Sequence, residues 1–172
     1  MKKIQISIAI NLLIIFGSPA AAENREGLSN DIMRVASEEI GVTELAGDEN
    51  NQRIQQYFES QSYFGMPDSV SWCSAFVGFV AIQTLADTSG ADLSARSWLR
   101  VGIEVIEPRP GDVVVLWRND PIGWQGHVGF YVGETYDKVL ILGGNQGNQV
   151  NVTAFAKNRV LGYRRLELPN DD

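Results

Sequence analysis

Near Gly102 the hydrophobic pattern of this 172-residue chain changes period, and that change confines the fold more tightly than anything in its composition. Upstream, apolar residues recur at helical spacing. Leu28, Ile32, Val35, Ala36 and Ile40, stopped by Gly41, predict an amphipathic helix after a polar leader over residues 23–27. A second helix is expected from Asn51 to Ser60, with Ile54, Tyr57 and Phe58 on its inner face. The connection from Glu44 to Asn51 is polar and acidic but lacks the alternating acids and terminal Glu of an EF-hand, so it is expected to be a solvated loop. After a linker from Ser60 to Ser69, a third helix should start at about Trp72 and end near Asp87, and a short one should cover Ser94–Leu99, closed by Gly102. Downstream the runs are short, apolar or alternating, and separated by Gly, Asn, Asp and Pro: Val113–Trp117, His127–Val132, Val139–Leu142, Val150–Val152 and Leu161–Leu166. Helices first and strands second predict an α+β domain, with N-terminal helices packed on a small C-terminal antiparallel sheet of about five or six strands.

The third helix carries the chain's only cysteine, in Ser71-Trp72-Cys73-Ser74-Ala75-Phe76-Val77. Phe76, Val77, Phe79, Val80, Ile82 and Leu85 mark its apolar positions, and Ser71 or Ser69 is available as its N-cap. A thiol in the first turn lies near unpaired backbone N–H groups and the positive end of the helix dipole, which favours thiolate over thiol. Position alone leaves two readings open, a primed nucleophile or a small buried hydrophobe.

The first 22 residues combine Lys2 and Lys3, an apolar run from Ile4 to Phe16, and Ala20-Ala21-Ala22 after Pro19. This pattern is expected to be a secretory signal peptide cleaved after about Ala22, because the apolar core is too short for a span of ~20 residues. Residues 23–172 then form a single domain. Its charge moves from −7 for the whole chain to −9, since the removed segment holds two lysines and no acid. Such a balance leaves no basic footprint for nucleic acid or for a membrane surface. A single unpaired thiol in an oxidising compartment needs burial or catalysis to account for it.

His127 is the only histidine and opens the strand Gly126-His127-Val128-Gly129-Phe130-Tyr131-Val132-Gly133. One histidine and one cysteine make a poor zinc site, so neither a metal nor another cofactor is expected. If both residues are functional, the economical arrangement is a thiol whose proton is managed by an imidazole. A third group should orient that ring and fix its tautomer. Asn145, in Leu142-Gly143-Gly144-Asn145-Gln146-Gly147-Asn148, is the leading candidate, with Gln146 and Asn148 in reserve, although the same residues make ordinary turns. The two glycines before Asn145 would let a substrate or the cysteine helix approach the backbone closely. Trp72, Trp124, Gly144 and Gln146 are the expected substrate contacts. Core packing accounts for Trp72 and Trp117 equally well, whereas Trp124 lies in a loop with little reason to bury an indole.

Together, Trp72-Cys73-Ser74-Ala75-Phe76-Val77, Pro110-Gly111-Asp112-Val113-Val114-Val115, Gly126–Gly133 and Gly143-Gly144-Asn145-Gln146 resemble the CHAP and NlpC-like superfamily of papain-like cysteine peptidases and amidases, and more narrowly a CHAP-like branch of small bacterial and phage proteins. The resemblance runs from about Ile32 to Arg165. It implies a papain-like fold, Cys73 as nucleophile, His127 as base, Asn145 as the orienting residue, and peptidoglycan as substrate, cut at an amide or peptide bond. Two positions depart from the pattern. Gly143 stands where CHAP domains often carry Glu, and Trp72 where many NlpC-like enzymes carry Asp. The expected product is an exported, periplasmic or secreted monomeric hydrolase. A thioester acyltransferase, an inactive wall-binding module and an antibacterial toxin share the same sequence features.

Overall fold

The computed structural model describes residues 19–47 and 49–169, with side chains from Gly27 onward. The leader expected over residues 1–22 therefore lies for the most part outside the described residues.

Three helices, α1 (Pro19–Glu38), α2 (Gln52–Glu59) and α3 (Cys73–Gln83), and a 3₁₀ helix (Ala95–Arg100) precede six strands. These are β1 (Ile103–Val105), β2 (Val113–Trp117), β3 (Gly126–Glu134), β4 (Lys138–Gly143), β5 (Asn151–Ala156) and β6 (Val160–Arg165). They form one sheet in the order β1-β6-β2-β3-β4-β5, with every pairing antiparallel. The expected α+β fold with helices first is what forms.

Several boundaries differ from expectation for local reasons. Residues 23–27 are helical rather than a polar leader, because the Ala-rich stretch before them favours helix although the apolar stripe begins only at Leu28. Helix α3 stops at Gln83, four residues before Asp87. Leu85 turns left-handed at φ 59 and is 74% exposed, so it is not part of the inner face. Strand β1 was not legible: its three residues alternate only between half-buried and exposed, and it is held by its pairing to β6.

Helix α3 is apolar all round, and Cys73 to Ala81 are buried without a break, as expected of a helix enclosed on every side. Helices α1 and α2 cover one side and the sheet covers the other. Tyr57 of α2 packs its ring 5.0 Å from Phe79, 5.6 Å from Phe76 and 6.0 Å from Trp72, and Phe76 meets Phe130 of β3 at 6.1 Å. These centroid distances fall in the range where aromatic pairs add to simple area burial. The buried polar Glu39 closes this side, accepting from Arg53 Nε at 2.8 Å and from Tyr57 Oη at 2.7 Å. Burial alone would raise the Glu39 carboxyl, but the hydrogen bonds from Arg53 and Tyr57 outweigh it and hold it below the usual range.

Both faces of the sheet are covered, which explains why Val113–Leu116 reads as an unbroken apolar run. Val113, Val115, Val128, Phe130 and Leu142 face the helices, whereas Val114, Leu116, Tyr131, Val139 and Ile141 form a second cluster on the other side. The Pro110-Gly111-Asp112 turn has a structural role. Asp112 is fully buried and receives the Arg165 guanidinium as a fork, Nε to Oδ1 at 2.9 Å and Nη2 to Oδ2 at 2.8 Å, while Oδ2 also accepts from Arg109 N. This pair ties β6 to the start of β2.

Candidate active site

Cys73 is the first residue of α3, and Trp72 is its N-cap, with no side-chain hydrogen bond capping the helix. Neither Ser71 nor Ser69 caps it, so no side-chain cap competes for the first-turn N–H groups. The first turn is anchored from behind. Ser74 Oγ donates to Asp92 O at 2.6 Å and accepts from Trp98 Nε1 at 2.8 Å, locking α3 to the 3₁₀ helix.

His127 sits near the start of β3, opposite Leu116 of β2. Cys73, His127 and Asn145 line one cavity of about 120 Å³, together with Ser71, Arg118 and Trp124. The helix start and the strand start are thus brought to a common cleft across 54 residues of sequence.

The residue that holds the imidazole is Gln146, not Asn145. His127 Nε2 lies 3.0 Å from Gln146 Oε1. The orientation of that carboxamide follows from its other end, where Gln146 Nε2 donates toward Ile141 O (3.2 Å), Asn151 O (2.6 Å) and Asn151 Oδ1 (3.0 Å). With the NH₂ committed to three oxygens, the carbonyl must face the ring, so His127 carries its proton on Nε2 and leaves the Nδ1 lone pair free. Asn151 is fixed in turn, Nδ2 donating to Gln146 O at 2.8 Å and Oδ1 accepting from Thr153 Oγ1 at 2.7 Å. The ring also stacks at a tilt on Phe155, 5.2 Å between centroids.

Asn145 itself adopts φ 56, a left-handed conformation that Asn tolerates. It lines the cleft and makes no side-chain hydrogen bond with another described residue. Gly143 explains how Gln146 comes to the ring. A Cβ there would lie 3.1 Å from Gln146 Oε1 and 3.4 Å from His127 Nε2, so the carboxamide occupies the space that a larger residue at 143 would claim.

The other expected contacts sort differently. Trp124 is 81% exposed on the cleft wall, as its loop position implies. Trp72 is fully buried and donates from Nε1 to Glu44 Oε1 at 2.7 Å, so it is core and not a substrate contact. Gly144 is buried too: a Cβ would meet Trp72 Cζ3 at 2.5 Å and Phe76 Cβ at 2.7 Å, so its lack of a side chain admits the cysteine helix rather than substrate. Gln146 holds the imidazole and also lines the cavity on the far side of the ring.

Electrostatics correct the thiolate expectation. Burial pushes the Cys73 thiol up, and the amides of Val128, Ser74 and Cys73 itself, with the charge of Arg118, oppose it without winning. Burial likewise lowers His127 to about 4, against the hydrogen bond that the ring donates to Gln146 Oε1 and with help from the positive charges of Arg159 and Arg118. At neutral pH the resting pair is therefore thiol and neutral imidazole. The dipole advantage of the first turn is real, but desolvation of an almost fully enclosed sulfur is larger. Among the described residues there is no group of three or more His, Cys, Asp or Glu that could hold a metal ion, and no helix is long and apolar enough to cross a membrane.

Sequence reasoning missed Asn151, Thr153, Arg118 and Arg159. Asn151, Thr153 and Phe155 fall at period two on β5, so an alternation of polar residues along that strand was the available signal.

No family profile and no curated protein matches this sequence. Solved structures do match. The P60 domain of antigen MAP1272c from M. avium paratuberculosis aligns at a TM-score of 0.56 with 14% identity, over 85% of this chain and 98% of that one. An NlpC/P60 family protein from Bacillus cereus aligns at 0.52 with 18% identity, over 82% of this chain and 40% of the other. The resuscitation promoting factor interacting protein RipA aligns at 0.50 with 21% identity, over 84% of this chain and 65% of that one. None of these singles out the CHAP branch. At such identities the likeness is one of fold, and the fold of this chain is that of the NlpC/P60 domains, the NlpC-like side of the resemblance carried by its sequence.

Proposed function

We propose that the chain is an exported cysteine hydrolase that cleaves an amide or peptide bond of peptidoglycan. One observation carries the proposal: Cys73 at the open start of a buried helix shares a cleft with an imidazole whose tautomer is fixed by Gln146. The NlpC/P60-like fold supports it. Substrate binding would bring the scissile carbonyl against Cys73 Sγ. As the S–C bond forms, the thiol proton passes to His127 Nδ1, and the carbonyl electrons move to an oxyanion held by the Cys73 N–H and a neighbouring first-turn donor. Collapse of that intermediate breaks the C–N bond, and the imidazolium returns its proton to the leaving amine. Water then attacks the thioester, His127 takes its proton and passes it to the departing sulfur, and a carboxylic acid is released. The neutral resting pair fits this sequence, because the base is unprotonated when substrate arrives. Asn145, with no side-chain hydrogen bond to another described residue, lies where it can meet the substrate.

The test is incubation of the protein and its Cys73→Ala variant with purified sacculi, followed by mass analysis of soluble fragments. Fragments from the parent alone are expected, and their masses separate an amidase from an endopeptidase. Equal release by Cys73→Ala would overturn the mechanism. A product heavier by an amine acceptor would make the enzyme a transferase, and retention on sacculi without release would make it a binding module.

A further inference from the structure

Beyond His127 and Gln146 the cleft continues into a second cavity, most of whose wall has no task in that reaction. It is a cavity of about 470 Å³ whose wall carries Arg118 and Arg159 beside Asn145, Thr153 and Phe155. In a chain with 14 basic and 21 acidic residues, two cations on one wall would be expected to have carboxylate partners. Among the described residues neither does: the ion pairs these residues make lie elsewhere. Arg159 is anchored by backbone and ring contacts. Its Nε and Nη2 both donate to Trp117 O, at 3.2 and 3.1 Å, and its guanidinium lies 5.7 Å from the Trp117 ring and 5.4 Å from that of Phe155. Its other guanidinium N–H groups have no protein acceptor among the described residues. Arg118 is exposed next to it, and both positive charges are felt at the imidazole.

We propose that the Arg118–Arg159 cavity is an anion subsite that holds a free carboxylate of the substrate peptide, so that the cleft prefers an acidic segment to its carboxamide form. Two guanidinium groups beside the reacting pair supply planar, charge-assisted donors matched to a carboxylate. Occupancy would have a second effect. A bound anion offsets the two charges that help hold the imidazole neutral, so binding raises the basicity of His127 when it is needed. The substrate assumed here rests on the hydrolase proposal, but the subsite is measurable without catalysis.

The experiment uses the Cys73→Ala protein, calorimetric titration, and two probes: a stem peptide with free carboxylates and the same peptide with those groups converted to carboxamides. The free acid should bind about tenfold more tightly, the difference made by a charge-assisted hydrogen bond. Arg118→Gln, at an exposed position, should reduce that preference to within threefold, and Arg159→Gln likewise, with Arg159→Lys restoring part of it. Equal affinity for the two probes, no binding of either at millimolar concentration, or a preference untouched by both glutamine variants would overturn the subsite. So would inorganic phosphate that binds more tightly than the peptide, which would mark a site for phosphate. A carboxylate preference in a protein whose parent releases nothing from sacculi would leave the subsite standing and remove the hydrolase.

Discussion

Gln146→Ala tests the tautomer directly. The substitution removes the acceptor of the His127 Nε2 proton and strips donors from Ile141 O, Asn151 O and Asn151 Oδ1. A buried group left without its partner costs about 1–3 kcal/mol. If most of that cost appears in the transition state, where the ring must accept at Nδ1 and hold charge, kcat/KM on soluble peptidoglycan fragments falls about 10- to 100-fold. Asn151→Ala removes only the clamp on the carboxamide, so its loss should be smaller, about 3- to 10-fold, on the order of one neutral hydrogen bond. Because Asn151 acts through Gln146, the double variant should be no worse than Gln146→Ala alone, a strong departure from additivity. Nitrogen NMR of the single histidine gives a readout independent of substrate: the parent should show the Nε2–H tautomer and Gln146→Ala a mixture. A parent protonated at Nδ1, or a Gln146→Ala enzyme within threefold of the parent, refutes the reasoning.

His127 also links stability to pH. Its folded value of about 4 lies below the ordinary 6.5. Between those values the unfolded chain binds a proton that the folded protein refuses, so stability is greatest above pH ~6.5, falls as pH drops toward about 4, and is flat below for this group. The full effect is about 3 kcal/mol, an upper bound because the ring keeps some contact with cleft water, and urea titrations of parent and His127→Gln should show the steeper slope in the parent, most clearly between pH ~5 and ~6.5, above the range where Glu39 adds its own slope. Asp112→Ala leaves the Arg165 guanidinium without its counter-charge in a buried site and should cost about 3 kcal/mol or more in chemical unfolding. Gly144→Ala drives a methyl into Trp72 and Phe76 and should cost about 1–3 kcal/mol while lowering activity, because the loop carrying Gln146 must move away from α3.

Much of the architecture was legible because burial imposes periods that survive in one dimension. The inner face of α2, Ile54, Tyr57 and Phe58, and the limits of β2 at Val113 and Trp117 are as the spacing predicts. Period fails where it has nothing to act on. Residues 23–27 are helical without an apolar stripe, and β1 exists only because β6 offers it an edge. In the site, the helix start at Cys73 and the strand start at His127 were legible as elements, but the partner of the imidazole was not. Asn145 and Gln146 are neighbours in a turn, both able to accept a hydrogen bond. The left-handed conformation at Asn145 and the hydrogen bonds exchanged with Asn151 aim residue 146 at the ring instead.

The sequence by itself therefore determined the α+β order, the helix that presents Cys73 and the strand that presents His127, because each depends on spacing within one segment. Only the tertiary structure decided which carboxamide fixes the tautomer, that Trp72 and Gly144 are packing rather than substrate contacts, and that two arginines with no ion pair among the described residues share the cleft. It also decided the charge of the resting pair. A helix dipole is a local property and argues for thiolate, whereas desolvation depends on everything folded around the sulfur, and here it prevails.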